Sequence, residues 1–299
     1  MRVAVITNTK AGTTPDPSPE QIRSALDAAG VSCALCPAEG HDLSAATHQA
    51  MQSKPQAVVA AGGDGTISAV ASALAGSDIP LGVLPTGTLN HFAKDLGIPL
   101  QLQEAAQVIG AGNVRSIDIA SVNGQIFINN SSIGIYPHIV QKRDEIRERL
   151  GRGKWSAMLM ALLNVFKRYP TVHVRINSPT VAFERNTPFV FVGNNRYEIS
   201  LNMLGKRLAL DGHELCVYFP NRTGRFGLLR LALRAVLGRL DQAKDFDQLS
   251  IDQLWIDTDR QSVRVALDGE VTRLKPPLHY QIKPSALNVL APPANGAAQ

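Results

Sequence analysis

"VVAAGGDGTISAVASALAG", Val58 to Gly76, decides how this chain is read. An apolar run breaks off in Gly62-Gly63-Asp64-Gly65-Thr66, and a small-residue helical pattern follows. A strand that ends in glycines and opens a helix presents backbone N–H groups to an anion, and the helix dipole adds to them. Gly62, Gly63 and Gly65 remove the side chains that would block a phosphate. Thr66, near which the helix is expected to start, could cap it or offer its hydroxyl. Asp64 is the anomaly, because a carboxylate repels phosphate. It makes sense if a divalent cation lies between the two, or if it orients water around that cation. A tight turn in which Asp favours an unusual backbone conformation is the competing reading. The stretch lacks the Gly-Lys-Ser/Thr ending of a Walker A loop and the third glycine of a dinucleotide fingerprint.

Outward from this stretch, strands and helices alternate. Strands are expected at 2–8, in "VSCALC", in "QAVVAAG" and at 80–85. Helices are expected at 18–30, with Ser18 as cap and Pro19 in the first position, in "SAATHQAMQ", in "TISAVASALAG" and at 102–112. This order predicts a parallel sheet with helices on both faces. Two further loops then reach the same carboxyl edge of the sheet, where ligands bind in such folds. One is "GVLPTGTLNHFAKDLGIP" (82–99), with Pro85, Gly87 and Thr88; the other is "TNTKAG" (7–12), with Lys10.

Beyond residue 122 the pattern changes. Alternating segments flank Asn123-Gly124, the strongest short hairpin signal, and strand-like runs continue to "LHYQIKP". A second, antiparallel domain is expected, interrupted by helical stretches at roughly 139–168 and 224–240. Residues 293–299 read as a disordered tail.

Composition narrows the function class. The 299 residues are 44% hydrophobic, with mean hydropathy −0.02. Net charge is +5, which suits an anionic small substrate or an anionic membrane surface. Aromatics at 5% disfavour single-stranded nucleic acid, which needs stacking platforms. Three cysteines, an odd number in a chain this long, argue against a disulfide framework. Cys33 and Cys36 have Cys-X-X-Cys spacing, but a strand puts them on opposite faces, and packed core positions are expected for both. No signal sequence and no run of 18 apolar residues is present, so a cytoplasmic protein is expected.

"AAGGDGTISAV", "PLGVLPTGTLNHFAKDLGIP", "RLALDGHEL" and "ALDGE", in that order, resemble the diacylglycerol kinase catalytic-domain family, which includes bacterial soluble lipid kinases and sphingosine and ceramide kinases. The resemblance runs from "NTKAG" at 8–12 to "SALNVLAP" at 285–292. Gly-Gly-Asp-Gly-Thr is shared with NAD kinases; the Gly-Thr-X-Asn of the second loop points to the lipid branch. The resemblance implies a Rossmann-like α/β ATP-binding domain at 1–121 and an antiparallel β-sandwich at 122–284, with the strand at about 285–292 returning to the first domain. It implies transfer of the γ-phosphoryl of ATP to a lipid hydroxyl, diacylglycerol or a related alcohol. Asn8, Lys10, Gly12, Gly62, Gly63, Asp64, Gly65, Thr66, Ile67, Ser68, Thr88 and Asn90 would hold ATP, with Asp64 organising Mg2+. Asp268 and Glu270 would serve the reaction, Glu270 as the proton acceptor. Asp211, with the carbonyls of Leu208 and His213, would form a structural metal site. From the residues alone, Asp268 and Glu270 either project into a shared cleft or sit on a solvated turn.

The chain departs from the family pattern in three places. Its first motif is Asn8-Thr9-Lys10-Ala11-Gly12 instead of Asn-Pro followed by Ser-Gly, His91 replaces an aspartate, and Cys36 stands where a threonine often lines the nucleotide pocket.

A lipid kinase needs a surface that meets membrane. "KWSAMLMALLNVFKRYP" (154–170) and "NRTGRFGLLRLALRAVLGRL" (221–240) are apolar and basic, the second with five arginines and no acid. Packed helices whose arginines snorkel to solvent are the alternative. Peripheral contact with the inner membrane face is thus expected. An NAD kinase-like enzyme and a non-catalytic nucleotide or lipid sensor stay open as other functions, and both a monomer and a homodimer are compatible with the sequence.

Overall fold

A computed structural model describes residues 1–8, 17–134, 171–197, 207–221, 224, 227, 234 and 245–293. Chain contacts divide into two units, Met1–Ile119 with Lys283–Gln299, and Ala120–Ile282. Lys10, Gly12, the expected helix at 139–168, most of that at 224–240 and the tail from 294 lie outside the described residues.

The first unit contains β1 (Arg2–Asn8), α1 (Pro19–Ala28), β2 (Ser32–Ala38), α2 (Leu43–Gln52), β3 (Ala57–Gly62), α3 (Asp64–Leu74), β4 (Leu81–Pro85), α4 (His91–Asp95) and α5 (Leu102–Ala111). The long strands β5 (Val114–Val122) and β16 (Leu278–Leu290) carry the chain across the boundaries between the units. The parallel order is β2-β1-β3-β4, with the end of β16 added beside β4 through Val289 and Leu81. β3 and β4 are buried at every residue, as central parallel strands covered on both faces must be.

Helix α1 shows how locally specified these elements are. Ser18 Oγ accepts the Gln21 N–H at 3.3 Å, and Gln21 Oε1 accepts the Ser18 N–H at 2.8 Å. That capping box, with Pro19 in the first turn, starts the helix, and Gly30 at φ +73° takes the chain out of it. Ile22, Ala25 and Leu26 form its buried stripe. Ser18→Ala is expected to cost about 1 kcal/mol of unfolding free energy in a denaturant titration, the usual worth of an N-cap.

The cysteines correct the expectation. β2 is the edge of the parallel order, so Cys33 and Cys36 are half-buried and not core residues. Burial still pushes both thiols up from their ordinary value. Both should therefore alkylate with iodoacetamide at neutral pH more slowly than free cysteine, measured by mass spectrometry of the peptides.

Among the described residues, the strands of the second unit pair antiparallel. Its strands are β6 (Gln125–Phe127), β7 (Asn130–Gly134), β8 (Val172–Asn177), β9 (Ala182–Thr187), β10 (Phe189–Asn194), β11 (Leu215–Pro220), β12 (Phe246–Ile251), β13 (Gln253–Thr258), β14 (Val263–Leu267) and β15 (Glu270–Leu274). One sheet runs β12-β11-β10-β7-β14-β15, and the other places the start of β16 beside β13, β8 and β9. Alternate residues of both sheets meet in one core: Val190, Val192, Leu215, Val217 and Val265 from the first, Val174, Ile176, Leu254, Ile256 and Tyr280 from the second. Tyr280 Oη and Ser131 Oγ are 3.0 Å apart inside it, and burial raises the phenol above its ordinary range. The hairpins obey the turn chemistry in the sequence. Asn123 and Gly124, at φ +47° and +82°, join β5 to β6; Asp268 and Gly269, at φ +49° and +93°, join β14 to β15.

Candidate active site

The two glycine loops lie at the carboxyl ends of β3 and β4. Gly62 closes β3, and Gly63, in extended conformation (φ −83°, ψ −176°), is the N-cap of α3. The helix starts at Asp64, two residues before Thr66. Thr66 is therefore not a cap: it is buried in the first turn, tight against Gly62, where a Cβ would meet the Thr66 side chain at 2.6 Å. Asp64 occupies the first turn, where its charge suits the positive end of the helix dipole.

The second loop is braced onto the first. A Cβ on Gly87 would come within 2.5 Å of Gly63 Cα, so the second loop has no room for a side chain at Gly87. Thr86 N–H donates to Gly62 O at 3.1 Å. Asn90, buried and left-handed at φ +50°, accepts the Gly87 N–H at 3.0 Å and donates its amide to Gly87 O at 2.7 Å. Its side chain holds the loop in shape. Asp64 Oδ1 accepts the Phe92 N–H at 3.3 Å and so ties α3 to the first turn of α4. Among the described residues no hydrogen bond or ion pair engages Asp64 Oδ2. The result is a cradle of two glycine-bearing loops with one carboxylate on its rim. Thr88 is exposed beside it, and Gly65 lies exposed in the first turn of α3. Its donor set, backbone N–H groups plus a carboxylate oxygen, fits a phosphate accompanied by a hard cation.

Asp268 and Glu270 lie in the other unit, at the tip of the β14–β15 hairpin. Asp268 turns its carboxylate back into the protein. Oδ2 accepts the Ile128 N–H at 2.9 Å, and Oδ1 accepts those of Asn129 and Asn130 at 2.8 and 3.1 Å. Its own N–H donates to Asn130 O at 2.9 Å. Three successive amides aimed at one carboxylate form an anion-holding nest. Glu270, at the start of β15 opposite Leu267, is exposed, and no partner engages its carboxylate among the described residues.

Of the other residues singled out, Asn8 ends β1 and Ile67 and Ser68 lie in the first turns of α3. Leu208, Asp211 and His213 sit on the exposed turn before β11. Among the described residues, no group of three or more His, Cys, Asp or Glu side chains could hold a metal ion. The sequence reading missed a buried polar cluster beneath the Asp268 nest: Asn129, Asn130, Asn194, Asn195 and Arg207. The signal for it is the run "INNSSI" at 128–133, where polar residues occupy positions that an alternating strand would otherwise fill with apolar ones.

Residues 2–122, which include both glycine loops, match the diacylglycerol kinase catalytic domain. "Probable lipid kinase YegS" of Escherichia coli (strain SE11) is 32% identical over 250 residues, covering 79% of this chain and 78% of that protein. The chain belongs to the diacylglycerol kinase catalytic-domain family. A second relative, "Probable lipid kinase YegS-like" of Pseudomonas savastanoi pv. phaseolicola, is 28% identical over 249 residues, 79% of this chain and 75% of that protein. The crystal structure of a diacylglycerol kinase from Bacillus anthracis str. Sterne superposes with a TM-score of 0.69 over 98% of this chain and 97% of its own, at 22% identity. That likeness establishes the shared fold, an α/β part with a mainly parallel sheet and an all-β antiparallel part. Membership of a diacylglycerol kinase family implies ATP as the phosphoryl donor.

Proposed function

We propose that this protein phosphorylates a lipid alcohol, diacylglycerol or a close relative, with ATP. The observation that carries the proposal is the side-chain-free cradle formed by Gly63 and Gly87, with Asp64 on its rim, in a chain of this family. The amides of Gly63, Gly65 and the first turn of α3 bind phosphate oxygens, with Asn8, Lys10, Gly12, Ile67, Ser68 and Thr88 completing the nucleotide contacts. Asn90 keeps the second loop in place. Asp64 Oδ2 would hold a Mg2+ ion, which when bound neutralises charge on the phosphates. The lipid hydroxyl oxygen forms a bond to the γ-phosphorus as the bridging P–O bond to ADP breaks. Glu270 takes the hydroxyl proton, and Asp268 positions the hairpin that carries it. A divalent cation on Asp211 with the carbonyls of Leu208 and His213 would stabilise the turn before β11.

The lipid reading also involves a membrane. Among the described residues no helix is long and apolar enough to cross one, so the substrate would be reached from the surface, through the basic apolar segments at 154–170 and 221–240. Arg222, Arg225 and Arg230 of the second segment are the proposed contacts for anionic head groups; Arg234 is bound to Asp245, Nε to Oδ2 3.1 Å.

Incubation with γ-labelled ATP and total membrane lipids, followed by mass spectrometry of the products, tests the proposal. A labelled lipid phosphate that disappears with Asp64→Ala and Glu270→Ala is the expected result. ATP binding without any labelled lipid would favour a sensor instead, and label appearing on NAD would favour an NAD kinase-like enzyme.

A further inference from the structure

Arg207 stands out among the buried side chains. It is 4% exposed, and a guanidinium cannot lose its proton to escape the cost of burial. Its position is therefore defined by the acceptors around it. Nη1 donates to Ile128 O at 2.6 Å and Nη2 to Asn129 Oδ1 at 3.2 Å, while its carbon lies 6.0 Å from the centre of the Tyr197 ring. The peptide unit between Ile128 and Asn129 thus has its C=O on Arg207 and its N–H on Asp268 Oδ1. One peptide dipole lies between a cation and an anion, aligned with both. The next unit is held in the same sense. Asn129 O accepts the Asn194 N–H at 2.9 Å and the Tyr197 hydroxyl at 3.0 Å, and the Asn130 N–H points to Asp268. Asn194 Nδ2 adds a second donor to Ile128 O at 2.8 Å.

We propose that Arg207 is a positioning residue for the reaction: by fixing the Ile128–Asn129 peptide it sets the nest that seats Asp268, and so fixes the hairpin that presents Glu270. Hydrogen bonds in series through a polarised peptide strengthen one another, so Arg207 and Asp268 act as one unit despite having no need to touch. Removing the guanidinium takes the charged donor from Ile128 O, which keeps the Asn194 amide, and from Asn129 Oδ1; that loosens the amides below Asp268 and lets the hairpin tip move. All the groups concerned belong to one unit of the chain, and none is among those proposed to bind ATP. The kinetic part of this inference rests on the proposed lipid kinase activity; the coupling of Arg207 to the Asp268 nest does not.

The test combines turnover with amide exchange. Arg207→Met should lower kcat about tenfold or more and leave KM for ATP unchanged, because it removes orientation and not nucleotide contacts. Arg207→Lys, which keeps the charge but not the planar fork, should fall between it and wild type. The double variant Arg207→Met/Asp268→Asn should be no slower than Asp268→Asn alone, since both changes break the same unit. In the full-length protein, hydrogen exchange at the Asn129 and Asn130 amides should rise about tenfold or more in Arg207→Met while exchange in β13 stays fixed. A kcat within about twofold of wild type, or additive effects in the double variant, would overturn the proposal. If wild type phosphorylates no lipid at all, the proposed function fails alone, and unchanged exchange at Asn129 and Asn130 then refutes the coupling. Should Arg207→Met fail to fold, Arg207→Lys carries both measurements, and wild-type values in both would refute it.

Discussion

Glu270→Gln is expected to lower lipid phosphorylation by about a hundredfold to ten-thousandfold, the usual contribution of a positioned general base, with ATP affinity and thermal midpoint close to wild type. The substitution keeps the size of the side chain and removes only its capacity to take a proton. Glu270 is exposed at the start of β15 and its carboxylate engages no other group among the described residues, so the fold loses nothing with the charge. Asp268→Asn should behave differently. An amide in place of this carboxylate can turn only one acceptor oxygen toward the N–H groups of Ile128, Asn129 and Asn130, and its NH2 faces a donor. That variant should lose stability as well as rate, by about 1–3 kcal/mol, the range for buried donors left unmet. The contrast between the two, read from kcat and a denaturation curve on the same preparations, separates a chemical carboxylate from a positioning one. Equal loss of stability in both would remove the distinction.

Gly87→Ala should weaken ATP binding about tenfold or more, since overpacking at this contact costs about 1–3 kcal/mol and falls on the phosphate cradle. The added methyl would stand 2.5 Å from Gly63 Cα and 2.9 Å from Asn90 Oδ1. Neither can yield cheaply: one is backbone, and the other is held by the Gly87 N–H. The two loops must part, and that shift displaces the Gly63 amide proposed to bind phosphate. Gly63→Ala is the control. Its Cβ would lie 3.4 Å from Gly87 Cα, an ordinary contact, and the φ of −83° suits any residue. Isothermal titration with ATP should therefore rank the variants wild type, Gly63→Ala, Gly87→Ala. The reverse order would mean that nucleotide binding does not depend on this contact.

The strands and turns were legible where a residue has few physical alternatives. Glycines at the end of a buried run mark a loop onto a helix, and they do so at Gly62 and Gly63. Asn-Gly between alternating segments marks a hairpin, and it does so at Asn123. Ser18 followed by Pro19 marks a helix start, and the structure adds Gln21 to complete a capping box. Strand order was not legible, because periodicity says which face of a strand is buried and nothing about its neighbours. The strand pattern at Cys33 and Cys36 predicts core positions, whereas β2 lies at an edge. The start of α3 moved from Thr66 to Asp64 because Gly63 can cap without a side chain, a signal that propensity underrates. Least legible was the partnership of Asp268 with amides about 140 residues earlier in the chain, and of Arg207 with the same peptide. A carboxylate bound by backbone N–H groups leaves no side-chain pattern to read.

β5 and β16 have a consequence for the order in which the molecule matures on the ribosome. Residues 120–282 form one uninterrupted length, whereas the nucleotide unit needs residues 283–290 to complete its sheet beside β4. Folding during synthesis usually proceeds from the amino terminus. Here the piece made first must wait, its β4 margin unpaired and open to chaperones, until the middle piece has emerged and the closing strand arrives. Once residues up to 282 have left the ribosome the sandwich can be complete, while the sheet beside β4 still waits for residues 283–290.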